Sequence, residues 1–235
     1  MNVFRTSVRT LTRCVRRLGE HFSGDVSTSH PATGDHEMAE YDRLIRRILS
    51  SIHNNSILLI GRAGTGKTSI LLYLKGCLAD AEDTAMDFHP VYIDLHGVPE
   101  DILFATVADA VLGQLAFAPP SKVERYGSDY GHRDLSRDFR SVIQVLRERS
   151  VKPARLVLLV DGIDELNHYR PMTTQRVRSL FMASLAESLV MVASAVEIDK
   201  HWEQEGSPWY NFFEEIDISS TVVIRNVQDR MHRDG

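Results

Sequence analysis

The chain has 235 residues, a net charge of −5 and an apolar share of 43%. That length suits one α/β domain with short appendages, and the apolar share fills an ordinary core. No apolar run approaches the length of a membrane-spanning helix and no short apolar stretch follows a charged start, so neither a transmembrane span nor a secretory leader is expected.

Cys14 and Cys77 lie far apart and form no paired motif. A disulfide framework is not implied, and a reducing, cytoplasmic setting is expected. The ten histidines show neither paired nor cysteine-flanked zinc spacing, which argues against a metal site built on them. Charge is uneven. Residues 1–19 hold five arginines and no acid, which leaves 22 basic against 32 acidic residues elsewhere, a balance of −10. An acidic body does not support a broad nucleic-acid footprint on the core.

In chain order, Phe4, Val8, Leu11, Val15, Leu18 and Phe22 recur at helical spacing, with Arg5, Arg9, Arg13, Arg16 and Arg17 on the opposite face. Residues 1–22 therefore read as a cationic amphipathic helix. Three roles are open: lying on an anionic membrane surface, targeting an organelle, or packing on protein. Residues 23–37 are small, polar and aperiodic, a flexible linker. The folded core is expected over 38–224, followed by a charged tail, 225–235. Its first helix, 38–52, carries Tyr41, Leu44, Ile45, Ile48 and Ile52 on one stripe.

Ser56-Ile57-Leu58-Leu59-Ile60 reads as a buried strand. Gly61-Arg62-Ala63-Gly64-Thr65-Gly66-Lys67-Thr68 follows, then Ser69 and an apolar helix to about Leu78. Strand, glycine loop and helix in this order match the Walker A phosphate loop, G-x-x-x-x-G-K-[ST]. Glycines let successive backbone N–H groups turn onto a phosphate, and the helix N-terminus adds its dipole. Lys67 supplies a charge to the outer phosphates, and Thr68 offers a hydroxyl to Mg²⁺. Arg62 is expected to face solvent.

Asp80 to Pro90 reads as a polar surface loop, 91–95 as a strand, and the stretch after Pro99 as a well-buried helix through Leu115. Pro119 to about Asp134 reads as an insertion or mobile loop. Phe139, Val142, Ile143 and Leu146 mark the next helix. Arg155-Leu156-Val157-Leu158-Leu159-Val160-Asp161 is a near-continuous apolar strand ending in an acid, the Walker B pattern, with Asp164 and Glu165 close behind. Pro171 to Ser188 reads as a helix, Leu189 to Ala193 as a strand ending at Ser194, and 215–224 as a final strand. Trp202, Trp209 and Tyr210 carry no legible role beyond packing.

GRAGTGKT at 61–68 with LVLLVDGIDEL at 156–166 resembles the ATPase core of AAA+ and STAND proteins. The string Asp161-Gly162-Ile163-Asp164-Glu165 is similar to the Walker B of NACHT-type STAND ATPases, and the lead-in from Tyr41 is similar to origin-recognition-type AAA ATPases. The resemblance covers about residues 38–218. It implies a three-layer α/β P-loop NTPase fold, with a mostly parallel five-stranded sheet in the order 5-1-4-3-2. It implies ATP or ADP as ligand and Mg²⁺ held by Thr68 and Asp161. Glu165, with Asp164 beside it, would activate water, with Lys67 completing the catalytic set. Ser194 falls near the sensor position, where the family places arginine or asparagine. Too few residues follow Ile218 for the family's helical lid, which reads as a fragment or a core-only form. An arginine from a neighbouring subunit or a protein partner would complete the site, with Arg170, Arg176, Arg178 and Arg225 as candidates. Two functions stand: a Mg²⁺-dependent ATPase, slow when isolated, and a nucleotide-gated binding module with little turnover. A phosphotransferase is a weaker third.

Overall fold

The structure is a computed structural model that describes residues 43–80, 86–117, 130–181 and 187–218. The expected helix 1–22, the linker 23–37, the loop over 119–129 and the tail with Arg225 lie outside the described residues.

Five strands form the sheet: β1 (Ser56–Ile60), β2 (Asp87–Asp94), β3 (Ala154–Asp161), β4 (Leu189–Ala195) and β5 (Phe213–Asp217). All pairings are parallel and the order is β2-β3-β4-β1-β5. This is the expected order, with β4 separating the strand before the phosphate loop from the strand that ends in Asp161. Helices flank the sheet: α1 (43–51), α2 (Lys67–Ala79), α3 (Leu103–Gln114), α4 (His132–Arg149) and α5 (Pro171–Leu180).

Strand alternation divides the core. Ile57, Leu59, Leu159 and Val192 face α1 and α2, where Ile45, Ile48, Ile70, Leu71 and Leu74 close over them. Leu58, Leu158, Val160 and Met191 face the other way, onto Leu103, Phe139 and Leu180 from α3, α4 and α5. Trp202 and Trp209 stack at 5.1 Å between ring centroids on this second face, and Trp209 also stacks on Phe213. The aromatic segment between β4 and β5 is core packing. Among the described residues no helix is long and apolar enough to cross a membrane.

Some element boundaries differ from expectation. β2 begins at Asp87, inside the supposed loop, and Pro90 sits within it. A proline in a strand is tolerated where its missing N–H faces a free edge, and among the described residues β2 pairs with β3 alone. α4 begins at His132, because the Gly131 N–H donates to Asp134 Oδ2 at 3.1 Å and caps the turn. α5 is observed over Pro171–Leu180, and 182–186 of the expected helix lie outside the described residues. The last strand is observed over Phe213–Asp217, and 219–224 lie outside the described residues.

Arg155, at the start of β3, fixes α1 to the sheet. Its guanidinium donates to Ile52 O at 3.0 Å, His53 O at 2.5 Å and Glu187 O at 3.0 Å. These are carbonyls at the end of α1 and before β4 that lack helical partners. Arg155→Ala is expected to cost about 1.5–3 kcal/mol, the range for hydrogen bonds to a charged group. Urea denaturation measures this, and a midpoint equal to the parent's would remove the clamp from the stability account.

Candidate functional site

The carboxyl ends of β1, β3 and β4 bring the chemistry together. β1 runs straight into the phosphate loop. Gly61 N–H donates to Ala195 O at 3.2 Å, so the loop starts from the β4 end. Gly64 and Gly66 have φ of 79° and 84°, left-handed values that glycine adopts without strain. Arg62 is exposed, as expected, together with Ala63 and Gly64. Thr65 Oγ1 donates back to Arg62 O at 2.9 Å and closes the loop. Lys67 opens α2 and is only 8% exposed. Its ammonium donates to Gly61 O at 2.5 Å and Arg62 O at 3.0 Å. Burial pulls the Lys67 ammonium below its ordinary range, against the opposing pull of Asp161 and Asp164.

Asp161 ends β3 and is 2% exposed. Its Oδ2 accepts from Thr68 Oγ1 at 2.6 Å and from the Tyr92 hydroxyl at 3.0 Å. Its Oδ1 accepts from Ser194 Oγ. A buried carboxylate is sustained by this many donors. Ser194 is fully buried and its hydroxyl is spent on Asp161, so it holds the acid and shows no face to the cleft. The Ser194 Oγ also accepts from Gly162 N at 3.3 Å.

After Asp161 the chain turns at Gly162 into a short 3₁₀ helix, Ile163–His168, which carries Asp164 and Glu165. Asp164 Oδ2 accepts from Val196 N at 3.2 Å, and Glu165 Oε1 accepts from Gly97 N at 3.0 Å. Gly162 has φ 71°, and a Cβ there would meet the His96 ring at 2.8 Å. His96 is itself held by Asp94, Nδ1 to Oδ1 at 2.7 Å. That hydrogen bond raises the His96 imidazole above its ordinary range, with Asp161 and Asp164 adding to it. Gly162→Ala is expected to cost about 1–2 kcal/mol for the left-handed conformation, with the His96 clash in addition. Pairing it with His96→Ala should recover the clash alone. Denaturation midpoints of the single and double variants measure this, and a Gly162→Ala variant as stable as the parent would contradict it.

Sequence reasoning missed Tyr92, Gly97, Gly162 and His96. Tyr92 lies two residues before the acid that ends β2, and Asp94 sits in register with Asp161. A hydroxyl-bearing ring near a carboxyl-terminal strand end was the available signal. The arginines are dispersed. Arg170 donates to Glu100 Oε1 at 2.8 Å. Arg178 donates to Pro208 O at 2.9 Å and lies 4.0 Å over the Phe212 ring. Arg176 is exposed on α5.

No group of three or more metal-ligating side chains occurs among the described residues. Thr68 and Asp161 nevertheless offer two hard oxygens in contact, and that donor set suits Mg²⁺, which keeps most of its shell as water and phosphate oxygen.

The protein-family model for the NACHT domain matches residues 55–196, more than half of the chain. No curated protein matches. Similar solved structures include the Aeropyrum pernix ORC1 protein in complex with DNA, at 18% identity and a TM-score of 0.55, covering 85% of this chain and 50% of that one. The Aeropyrum pernix ORC2 protein in ADPNP–ADP complexes is 10% identical with a TM-score of 0.52, covering 89% and 54%. Cdc6p from Pyrobaculum aerophilum is 18% identical with a TM-score of 0.51, covering 88% and 52%. The chain thus spans about half the length of these structures, and at such identities the likeness speaks for the fold. The family match runs from the residue before β1 to the residue after β4, across the phosphate loop, Asp161, Asp164 and Glu165, and the chain belongs to the NACHT family of P-loop NTPases.

Proposed function

We propose that this chain binds Mg-ATP and hydrolyses it to ADP and phosphate, slowly in isolation and faster in an assembly. The observation that carries the reading is the contact of Thr68 Oγ1 with Asp161 Oδ2 at 2.6 Å, beside the buried Lys67. Backbone N–H groups of residues 61–68 and the α2 N-terminus would cradle the phosphates, with Lys67 on the outer ones. Thr68 and Asp161 would hold Mg²⁺, whose bound charge neutralises the phosphate oxygens. Glu165 would orient a water and take its proton, and Asp164 would keep the 3₁₀ turn against Val196.

The slow turnover has its own support. Arg170 and Arg178 are committed to partners within the chain, and Arg176 lies on the surface of α5. An arginine supplied by a neighbour is worth roughly 10³–10⁵ in rate in related phosphoryl transfer. The second reading, a nucleotide-gated module with little turnover, is favoured by the Glu165 carboxylate already accepting the Gly97 N–H. Titration calorimetry of ATP with Mg²⁺ and with EDTA tests binding. Phosphate release per chain over a wide protein concentration tests the assembly. Turnover should rise with concentration, and brisk, concentration-independent turnover by a monomer would contradict the slow isolated site.

A further inference from the structure

We infer that Tyr92 is a positioning residue that aims the Asp161 carboxylate at the metal, and that Gln114 is the wedge that sets it. The inference rests on the reading of Thr68 and Asp161 as the metal pair. Tyr92 lies at the edge of the sheet, where β2 has no neighbouring strand among the described residues. Its backbone is nevertheless paired on that side. Gln114, at the end of α3, accepts from Tyr92 N at 3.0 Å and donates to Tyr92 O at 2.6 Å. One side-chain amide thus takes the place of a strand partner. Lys75 from α2 donates to the same Gln114 oxygen at 2.8 Å and ties the wedge to the helix that begins with Lys67.

What the wedge holds in place is the Tyr92 hydroxyl, 3.0 Å from Asp161 Oδ2. Asp161 is thereby gripped at both oxygens, by Ser194 at Oδ1 and by Tyr92 at Oδ2. A carboxylate oxygen accepts two donors, and the second place on Oδ2 is taken by Thr68. The Thr68 hydroxyl keeps oxygen lone pairs that would take a metal, and binding there would leave the Tyr92 and Ser194 bonds to Asp161 intact. The carboxylate plane is therefore set before the metal arrives. Partners that orient a metal ligand in this way are worth 10–100-fold in metal affinity in other sites.

The test uses the full chain and two probes, Mg²⁺ with a fluorescent ATP analogue, and Mn²⁺ followed by electron paramagnetic resonance in the presence of ATP. The Mg²⁺ concentration for half-maximal tight nucleotide binding should rise about tenfold or more in Tyr92→Phe. Bound Mn²⁺ should fall in parallel, while nucleotide affinity in EDTA stays at the parent value. Gln114→Asn, too short to reach both backbone groups, keeps the hydroxyl and should shift the midpoint in the same direction by less. An unshifted Mg²⁺ midpoint in both variants would overturn the inference. So would an equal loss of affinity with Mg²⁺ and with EDTA, since Tyr92 would then merely support the fold. If the parent chain binds no nucleotide under either condition, the proposed function fails before the variants are compared.

Discussion

Lys67→Ala is expected to lower ATP affinity by on the order of 10²–10³-fold while leaving the fold intact. The magnitude is that of truncating one side of a desolvated charge pair. The retained fold follows from the Lys67 environment. The ammonium is 8% exposed and is depressed from its ordinary range by burial, so its charge is a cost to the free protein. Its partners there are Gly61 O and Arg62 O, neutral carbonyls that water replaces once the side chain is gone. Its gain comes only when phosphate oxygens share that ammonium. Lys67→Arg is not a rescue, because a planar guanidinium has no room where a point charge sits between two loop carbonyls. Titration calorimetry at matched thermal stability measures the effect, and an affinity equal to the parent's would place the phosphates elsewhere.

Glu165→Gln is expected to lower turnover by about 10²–10⁴-fold, the range for a positioned general base, with ATP affinity unchanged. The substitution keeps an oxygen that can accept the Gly97 N–H, so the 3₁₀ turn and the Gly97 loop stay in place. What it removes is the capacity to hold the proton taken from water. Single-turnover phosphate release separates this step from binding. Unchanged turnover would move the role to Asp164, whose carboxylate is otherwise engaged by Val196 N.

The phosphate loop was legible because its function is local. The glycines, Lys67 and Thr68 are contiguous, and the elements on either side are apolar enough to read. Asp161, Asp164 and Glu165 were legible for the same reason, as the end of one buried strand. The strand order was not in the residues themselves and came with the class that they resemble. β2 was read too short because Pro90 signals a break, and only the pairing pattern shows that its ring lies on an unpartnered edge. Tyr92 and Gln114 were missed because their roles need three elements at once, β2, α3 and β3, far apart in sequence. His96 and Gly162 meet only after β2 and β3 lie in register. Trp202 and Trp209 joined the core through contacts that no local periodicity records.

Gly61 also faces the last strand. A Cβ on it would meet Ile218 Cγ1 at 2.9 Å, and Ile218 N–H donates to Ile60 O at 2.8 Å. The chain leaving β5 is therefore bolted to the point at which the phosphate loop begins. The last described residue of the chain thus touches the start of the phosphate loop through one side chain and one hydrogen bond. A methyl at position 61 would meet Thr65 Oγ1 at 2.8 Å as well, so the bare Cα of Gly61 is the spacer that lets the β5 end and the phosphate loop share one place.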